Sequence, residues 1–129
     1  MATLDAVAET IVPRDRDPGA LDADVPRRIR RVLDVDREAQ ILYRDGLALV
    51  ETLARRAGAG SFAALDAQER ESLLRTLATQ SDELGRRFFG RVREDVLRYY
   101  WASVHGQRAV AYDPPSGGYP LARPQPRKP

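Results

Sequence analysis

The sequence predicts an all-α fold, a compact bundle of about five helices followed by an extended tail rich in proline and glycine. Apolar side chains recur at the i, i+3, i+4, i+7 spacing of helix faces through roughly the first hundred residues, and no period-two alternation is long enough for a sheet. Six of the nine prolines lie in the last 16 residues, which excludes a helix there. These patterns divide the chain into a helical domain, residues 1–105, and a tail, residues 106–129, which is disordered or partly docked on a partner.

Prolines and glycines set the limits of the first three helices. The first helix must stop by Val12, because the proline that follows disfavours a helical residue before it. Pro26 suits the first turn of a second helix over residues 25–35. A third helix is expected over residues 37–57, and it contains Gly46, where either the close approach of a neighbouring backbone or a simple weak point would account for glycine.

The remaining helices carry side-chain caps. Gly58 ends the third helix in the way that C-terminal glycines commonly do. Asp66 and Glu69 have the spacing of a capping box that opens the fourth helix. Asp82 is expected to cap a last long helix that continues to about Val104.

The chain offers little to catalysis or to metal binding. His105 is its only histidine, and we expect it to satisfy carbonyls at the C-terminal end of the last helix. There is no cysteine, so a zinc site would lack ligands. The glycines of residues 58–60 follow a helix, whereas a dinucleotide fingerprint follows a strand. We therefore predict no catalytic residue, no metal site and no cofactor of its own.

Charge and hydropathy restrict the partners. The net charge is only +2, and acidic residues are interleaved with the arginines, whereas nucleic-acid binding favours a segregated basic stripe. Residues 27–31 and 86–87 are the nearest candidates for such a stripe. No apolar run approaches the roughly 18 residues of a membrane helix, so membrane insertion is not expected. An arginine-rich module that binds nucleic acid or another acidic partner stays open as the alternative, as does a small hydrolase or isomerase that uses His105.

Two regions have more specific sequence than a helical bundle requires. The connection between the first two helices contains Pro18-Gly19, which sets a turn, and its conformational restriction exceeds that of a flexible linker. Residues 99–101 are Tyr-Tyr-Trp, and adjacent residues on a helix point about 100° apart. At least one of these aromatic rings should therefore face the surface or lie beneath the tail, and Tyr and Trp are favoured anchors in protein interfaces.

The same two regions resemble the gluconate 2-dehydrogenase subunit 3 family. Residues 11–25 have its order of a short apolar helix, a Pro-charged-charged loop, Pro-Gly-Ala and a helix opened by Val-Pro. The tyrosine-rich end of the last helix, His105-Gly106 and the Gly-Tyr-Pro of residues 118–120 match its C-terminal half. The resemblance extends over roughly residues 4–120.

The resemblance implies a noncatalytic small subunit that binds, stabilises and assists the maturation of a large flavoprotein of the glucose-methanol-choline type, a dehydrogenase or oxidase of a sugar, sugar acid or glycoside. FAD is then expected in that partner, and the sequence leaves open whether a cytochrome subunit joins the complex. Many family members carry a twin-arginine export leader, and none is visible here, so the expectation is cytoplasmic, or periplasmic if an upstream leader is missing. The expected interface consists of the following residues: Pro13, Arg14, Asp15, Pro18, Gly19, Tyr99, Tyr100, Trp101, Tyr112, Gly118, Tyr119 and Pro120.

Overall fold

The computed structural model describes residues 1–80 and 82–111, and in these ranges the chain is helical without strands. The elements are α1 (Thr3–Ile11), α2 (Val25–Val35), α3 (Arg37–Arg56), a 3-10 helix (Phe62–Ala64), α4 (Ala67–Gln80), α5 (Glu83–Trp101) and α6 (Val104–Ala111). The predicted all-α class is confirmed, with six α-helices in the described ranges. None of these helices combines the length and the apolar character that crossing a bilayer requires.

The core is organised around α5, which packs against each of the other five α-helices. Phe88, Val92 and Val96 lie one helical turn apart along α5 and are fully buried. Burying side chains of this size contributes about 1.5–3 kcal/mol each. The other α-helices therefore all pack against α5. This packing fixes the position of the C-terminal end of α5 relative to the rest of the bundle.

The predicted helix limits and caps are largely confirmed. The second helix has the expected bounds, and the third ends one residue before the expected limit, followed by Gly58 with a positive φ of 93°. Asp66 Oδ1 accepts from the Glu69 N–H at 2.8 Å, while Glu69 Oε1 accepts from the Asp66 N–H at 3.0 Å. Asp82 Oδ1 caps α5 by accepting from the Gly85 N–H at 3.1 Å.

Gly46 lies against a side chain, so neither of the two expected explanations, the close approach of a backbone or a simple weak point, is what the structure shows. A methyl group at this position would overlap the Cβ and ring atoms of Phe88. The ring of Phe88 also stands edge-on to Tyr43, with ring centroids 5.5 Å apart. Glycine is therefore required where α3 crosses α5, despite its cost within a helix of about 1 kcal/mol.

The prediction of one last helix that continues to Val104 is wrong. The chain leaves α5 after Trp101 and begins α6 at Val104. The Ser103 hydroxyl donates to the Tyr100 carbonyl oxygen at 2.6 Å and accepts from the Gly106 N–H at 3.1 Å, so it ends one helix and caps the next.

Residues 106–111, predicted to belong to the extended tail, are helical as part of α6. Gly106 makes this possible, because a side chain there would overlap the Tyr100 carbonyl oxygen on the last turn of α5. The absence of a side chain lets α6 fold back closely onto α5. Residues 112–129, the rest of the predicted tail, lie outside the described residues.

The prediction that His105 caps the C-terminal end of the last helix is also wrong. His105 lies half-buried in the first turn of α6, at the opposite kind of helix end. The first turn of a helix exposes N–H groups, whereas the unpaired carbonyls that this prediction requires lie at the other end. The error follows from the unforeseen break between α5 and α6.

Candidate partner-binding surface

The connection between α1 and α2, residues 12–24, is named the first loop below. Its ends are joined by backbone hydrogen bonds, since the Ala20 N–H donates to the Val12 carbonyl at 2.9 Å and the Val25 N–H donates to the Ala20 carbonyl at 3.1 Å. Within it, Asp22 Oδ2 accepts from the Gly19 N–H at 2.8 Å. The loop is thus closed upon itself, as its prolines and glycine indicated.

Gly19 is enclosed by the backbone of the same loop. A Cβ atom there would lie 2.6 Å from the Val12 carbonyl oxygen and 2.7 Å from the Arg14 nitrogen. Backbone atoms cannot move aside as the end of a flexible side chain can. Only glycine at this position therefore permits the backbone around residue 19 to approach the backbone of residues 12–14 this closely. This close approach is called the neck of the first loop below.

The charged side chains of the first loop face water. Residues 14–17, Arg-Asp-Arg-Asp, are all exposed. Asp15 Oδ1 accepts from the Asp17 N–H at 3.0 Å, and the Arg14 Nε lies 3.8 Å from Asp22 Oδ2 with 76% of the Arg14 side chain exposed. Such exposed pairs contribute little to stability. The exposed charges of residues 14–17 are available for recognition, because most of the bonds that hold the loop are made by its backbone.

Tyr100 ties the end of α5 to the first loop. Its hydroxyl donates to the Pro18 carbonyl oxygen at 2.7 Å, although the two residues are 82 positions apart, and the side chain is 3% exposed. Burial, followed by the negative charges of Asp17, Asp15 and Asp22, raises the pKa of Tyr100. The two regions that the sequence singled out separately therefore meet in space.

Next to this tie the aromatic run reaches the surface. Trp101 is 44% exposed and stands edge-on to Tyr100, with ring centroids 5.2 Å apart, while Tyr99 is half-buried against the core. Val104, at the start of α6, is 63% exposed. The expectation that at least one of the three rings faces the surface is confirmed, and that ring belongs to Trp101.

The predicted interface residues fall into three groups. Pro13, Arg14, Asp15 and Trp101 are exposed and Pro18 is half-exposed, whereas Gly19 and Tyr100 are buried behind them and Tyr99 is half-buried. The other four lie outside the described residues, namely Tyr112, Gly118, Tyr119 and Pro120. Contact with a partner stays a prediction for the whole set, with the buried members placed to support the surface.

A buried polar cluster on α3 and α5 was not predicted from the sequence. Asp95, 4% exposed, accepts from the Tyr43 hydroxyl at 2.6 Å and from the Arg91 Nε at 2.8 Å. Burial, then the hydrogen bond and the charge of Asp95, raises the pKa of Tyr43. The i, i+4 spacing of Arg91 and Asp95 is visible in the sequence, but the tyrosine that buries the pair comes from another helix.

Glu51, on α3, connects three elements through its carboxylate. Its carboxylate accepts from the Thr3 hydroxyl at 2.7 Å and from the Phe62 N–H at 3.2 Å. It thereby joins α1, α3 and the 3-10 helix. In residues 1–80 and 82–111, no group of three or more His, Cys, Asp or Glu side chains is arranged to hold a metal ion.

Comparison with known proteins gives one result. The family model described as Gluconate 2-dehydrogenase subunit 3 matches residues 1–118. Searches of curated proteins and of solved structures found no significant match. The match includes the first loop, the aromatic end of α5 and α6, which are the parts assembled by the bond between Tyr100 and Pro18. The chain therefore belongs to the gluconate 2-dehydrogenase subunit 3 family.

Proposed function

We propose that this chain is the noncatalytic small subunit of a sugar-oxidising complex, in which it binds, stabilises and assists the maturation of a large flavoprotein of the glucose-methanol-choline type. Membership of the family supports a place in a dehydrogenase complex. The large subunit would hold FAD and oxidise a sugar, a sugar acid or a glycoside.

The observation that carries this proposal is the hydrogen bond from the Tyr100 hydroxyl to the Pro18 carbonyl. It holds an exposed tryptophan beside a loop whose backbone is closed and whose charged side chains at residues 14–17 are exposed. Tryptophan is among the residues that contribute most to binding when a partner buries them. A surface that is ordered before binding loses less conformational entropy on association. The combination is typical of an interface.

Binding of this kind would stabilise the large subunit by mass action. A partner that binds the native state and not the unfolded state adds RT ln(1 + [L]/Kd) to the free energy of unfolding, which is about 2.7 kcal/mol at a concentration one hundred times Kd. A large subunit with its small subunit bound would then unfold less often. The large subunit would therefore retain its bound FAD for longer. The small subunit would also bind newly folded large subunits as they reach the native state, which would assist their maturation.

Co-expression with a large flavoprotein dehydrogenase from the same genome, chosen first from the genes beside that of this chain, tests the proposal. We expect the two chains to copurify, and we expect the large subunit alone to show a lower Tm and less bound FAD by absorbance. Full activity and full FAD content of the large chain by itself, together with failure to copurify, would contradict the proposal.

Trp101→Ala sharpens this test at one side chain. Removal of a tryptophan at the centre of an interface costs about 2 kcal/mol or more, so we expect Kd to rise by about thirtyfold in a titration with the large subunit. Ile41→Ala is the control, because Ile41 is another exposed apolar side chain, at 37%, on α3. If the two variants bind the large subunit with equal affinity, Trp101 is not part of the interface.

A further inference from the structure

The outer side of α2 carries a line of three exposed residues, Arg28, Arg31 and Val35, named the outer line below. Their i, i+3, i+7 spacing places them within about 60° of one another on the helix. The opposite side of α2 is buried through Pro26 and Ile29. Val35 is 87% exposed, more than any other large apolar side chain in the described ranges.

The arginines of α2 separate into two pairs by their environment. Arg27 lies 3.7 Å from Asp24, and Arg30 lies 2.9 Å from Asp5, so both have acidic partners within the chain. The two arginines of the outer line have no carboxylate within 4.0 Å among residues 1–80 and 82–111. Their guanidinium groups are therefore uncompensated, and they share one line with the most exposed large apolar side chain of the described ranges.

We propose that the outer line docks onto an acidic surface of the large dehydrogenase subunit, a second contact separate from Trp101 that rests on the function proposed above. Guanidinium groups bind carboxylates through two parallel hydrogen bonds. Arg28 and Arg31 are separated by a rise of about 4.5 Å along the helix axis. The matching surface presents two carboxylates at a similar spacing, with an apolar patch beyond them for Val35.

Charge and polarity favour an acidic protein over nucleic acid. Tight binding to phosphates depends on several uncompensated cations along one stripe. On α2 the line has two, and two exposed carboxylates lie nearby, that of Asp24 directly before the helix and that of Asp34 on it. Val35, at its end, suits an apolar patch on a protein and has no counterpart on a phosphate backbone.

A double charge reversal tests the proposal on the copurified complex. For Arg28→Glu with Arg31→Glu, we expect Kd for the large subunit to rise by about tenfold or more at 50 mM NaCl, and the salt dependence of Kd to become weaker. The control is Arg87→Glu with Arg93→Glu on α5, which makes the same change in net charge. Both control arginines are exposed and, within the described part of the chain, have no acidic partner. Circular dichroism melting confirms that each variant is folded.

Arg28→Gln with Arg31→Gln is a milder variant, because it removes both positive charges without introducing acidic side chains that could disturb folding. We expect it to raise Kd for the large subunit by about threefold. Wild-type affinity in both outer-line variants would overturn the second contact while the copurification still supported the proposed function. Failure of the unmodified chains to associate would overturn both. Binding of a labelled DNA duplex that is lost in the variants, with the complex unaffected, would assign the outer line to nucleic acid instead.

Discussion

The buried cluster of Tyr43, Arg91 and Asp95 and the first loop are both ordered by hydrogen bonds, but by different groups. In the cluster the hydrogen bonds join side chains, since the Asp95 carboxylate accepts from the Tyr43 hydroxyl and from the Arg91 Nε. In the first loop the backbone makes most of the bonds, and the side chains of residues 14–17 remain in water. The difference indicates that the cluster holds α3 against α5, whereas the first loop presents its charged side chains on the surface, where a partner can bind them. Both depend on α5, which supplies Asp95 to one and Tyr100 to the other.

The largest effect is expected where α3 crosses α5 beside the buried cluster. Gly46→Ala forces the ring of Phe88 out of a filled core, and we expect a loss of about 3 kcal/mol in the free energy of unfolding. Gly90→Ala is the matched control, because Gly90 is also a helical glycine but has open space around it. It should stabilise the protein by up to about 1 kcal/mol. Urea denaturation measures both, and effects of equal sign would show that the helix crossing is loosely packed.

The next effect is expected within the cluster itself. Asp95→Asn keeps the shape of the side chain but removes the charge that two donors share, so we expect a loss of about 2 kcal/mol. Glu94→Gln, at the adjacent exposed position, should change stability by less than about 0.5 kcal/mol. If the two variants are equally stable in urea, the cluster does not hold α3 against α5.

A smaller change in stability, with a larger change in binding, is expected in the first loop. Gly19→Ala places a Cβ against the Val12 carbonyl, so the neck of the loop must open, at a cost of about 1–2 kcal/mol. Gly60→Ala, at an exposed glycine with open space, serves as the control. Kd for the large subunit should rise for the first variant alone. A stable Gly19→Ala protein with normal affinity would show that the closed loop is not required for binding.

The smallest effect is expected in alkaline solution. The pKa of Tyr43 is raised above its ordinary value of 10.0, so the folded protein keeps the proton that the unfolded chain releases. The stabilising effect is therefore complete below about pH 10 and decreases as the pH rises above it. Between pH 8 and pH 10.5 the wild type should lose about 1 kcal/mol more than Tyr43→Phe. If the free energy of unfolding, measured with urea, decreases equally with pH in the wild type and in Tyr43→Phe, the result would contradict the burial of the Tyr43 hydroxyl.

Local signals predicted α2, the capping box at Asp66 and the cap at Asp82 well, because each depends on residues within one turn of the chain. The break after Trp101 was missed, although Ser103 and Gly106 have the spacing of a helix cap. Apolar periodicity continues across this point, and it concealed the change in direction. For the candidate surface, the sequence identified the aromatic run of residues 99–101 and the first loop, but neither which ring is exposed nor that the two regions are neighbours.

The sequence by itself determined the all-α class, most helix limits and the resemblance that the family match confirmed. These depend on backbone geometry and on the spacing of residues along the chain. Only the tertiary structure decided that Tyr100 closes onto Pro18, that Tyr43 and Arg91 share one carboxylate, and which arginines of α2 lack a partner. Contacts between residues far apart in the chain depend on how the helices pack, and no local pattern encodes that packing.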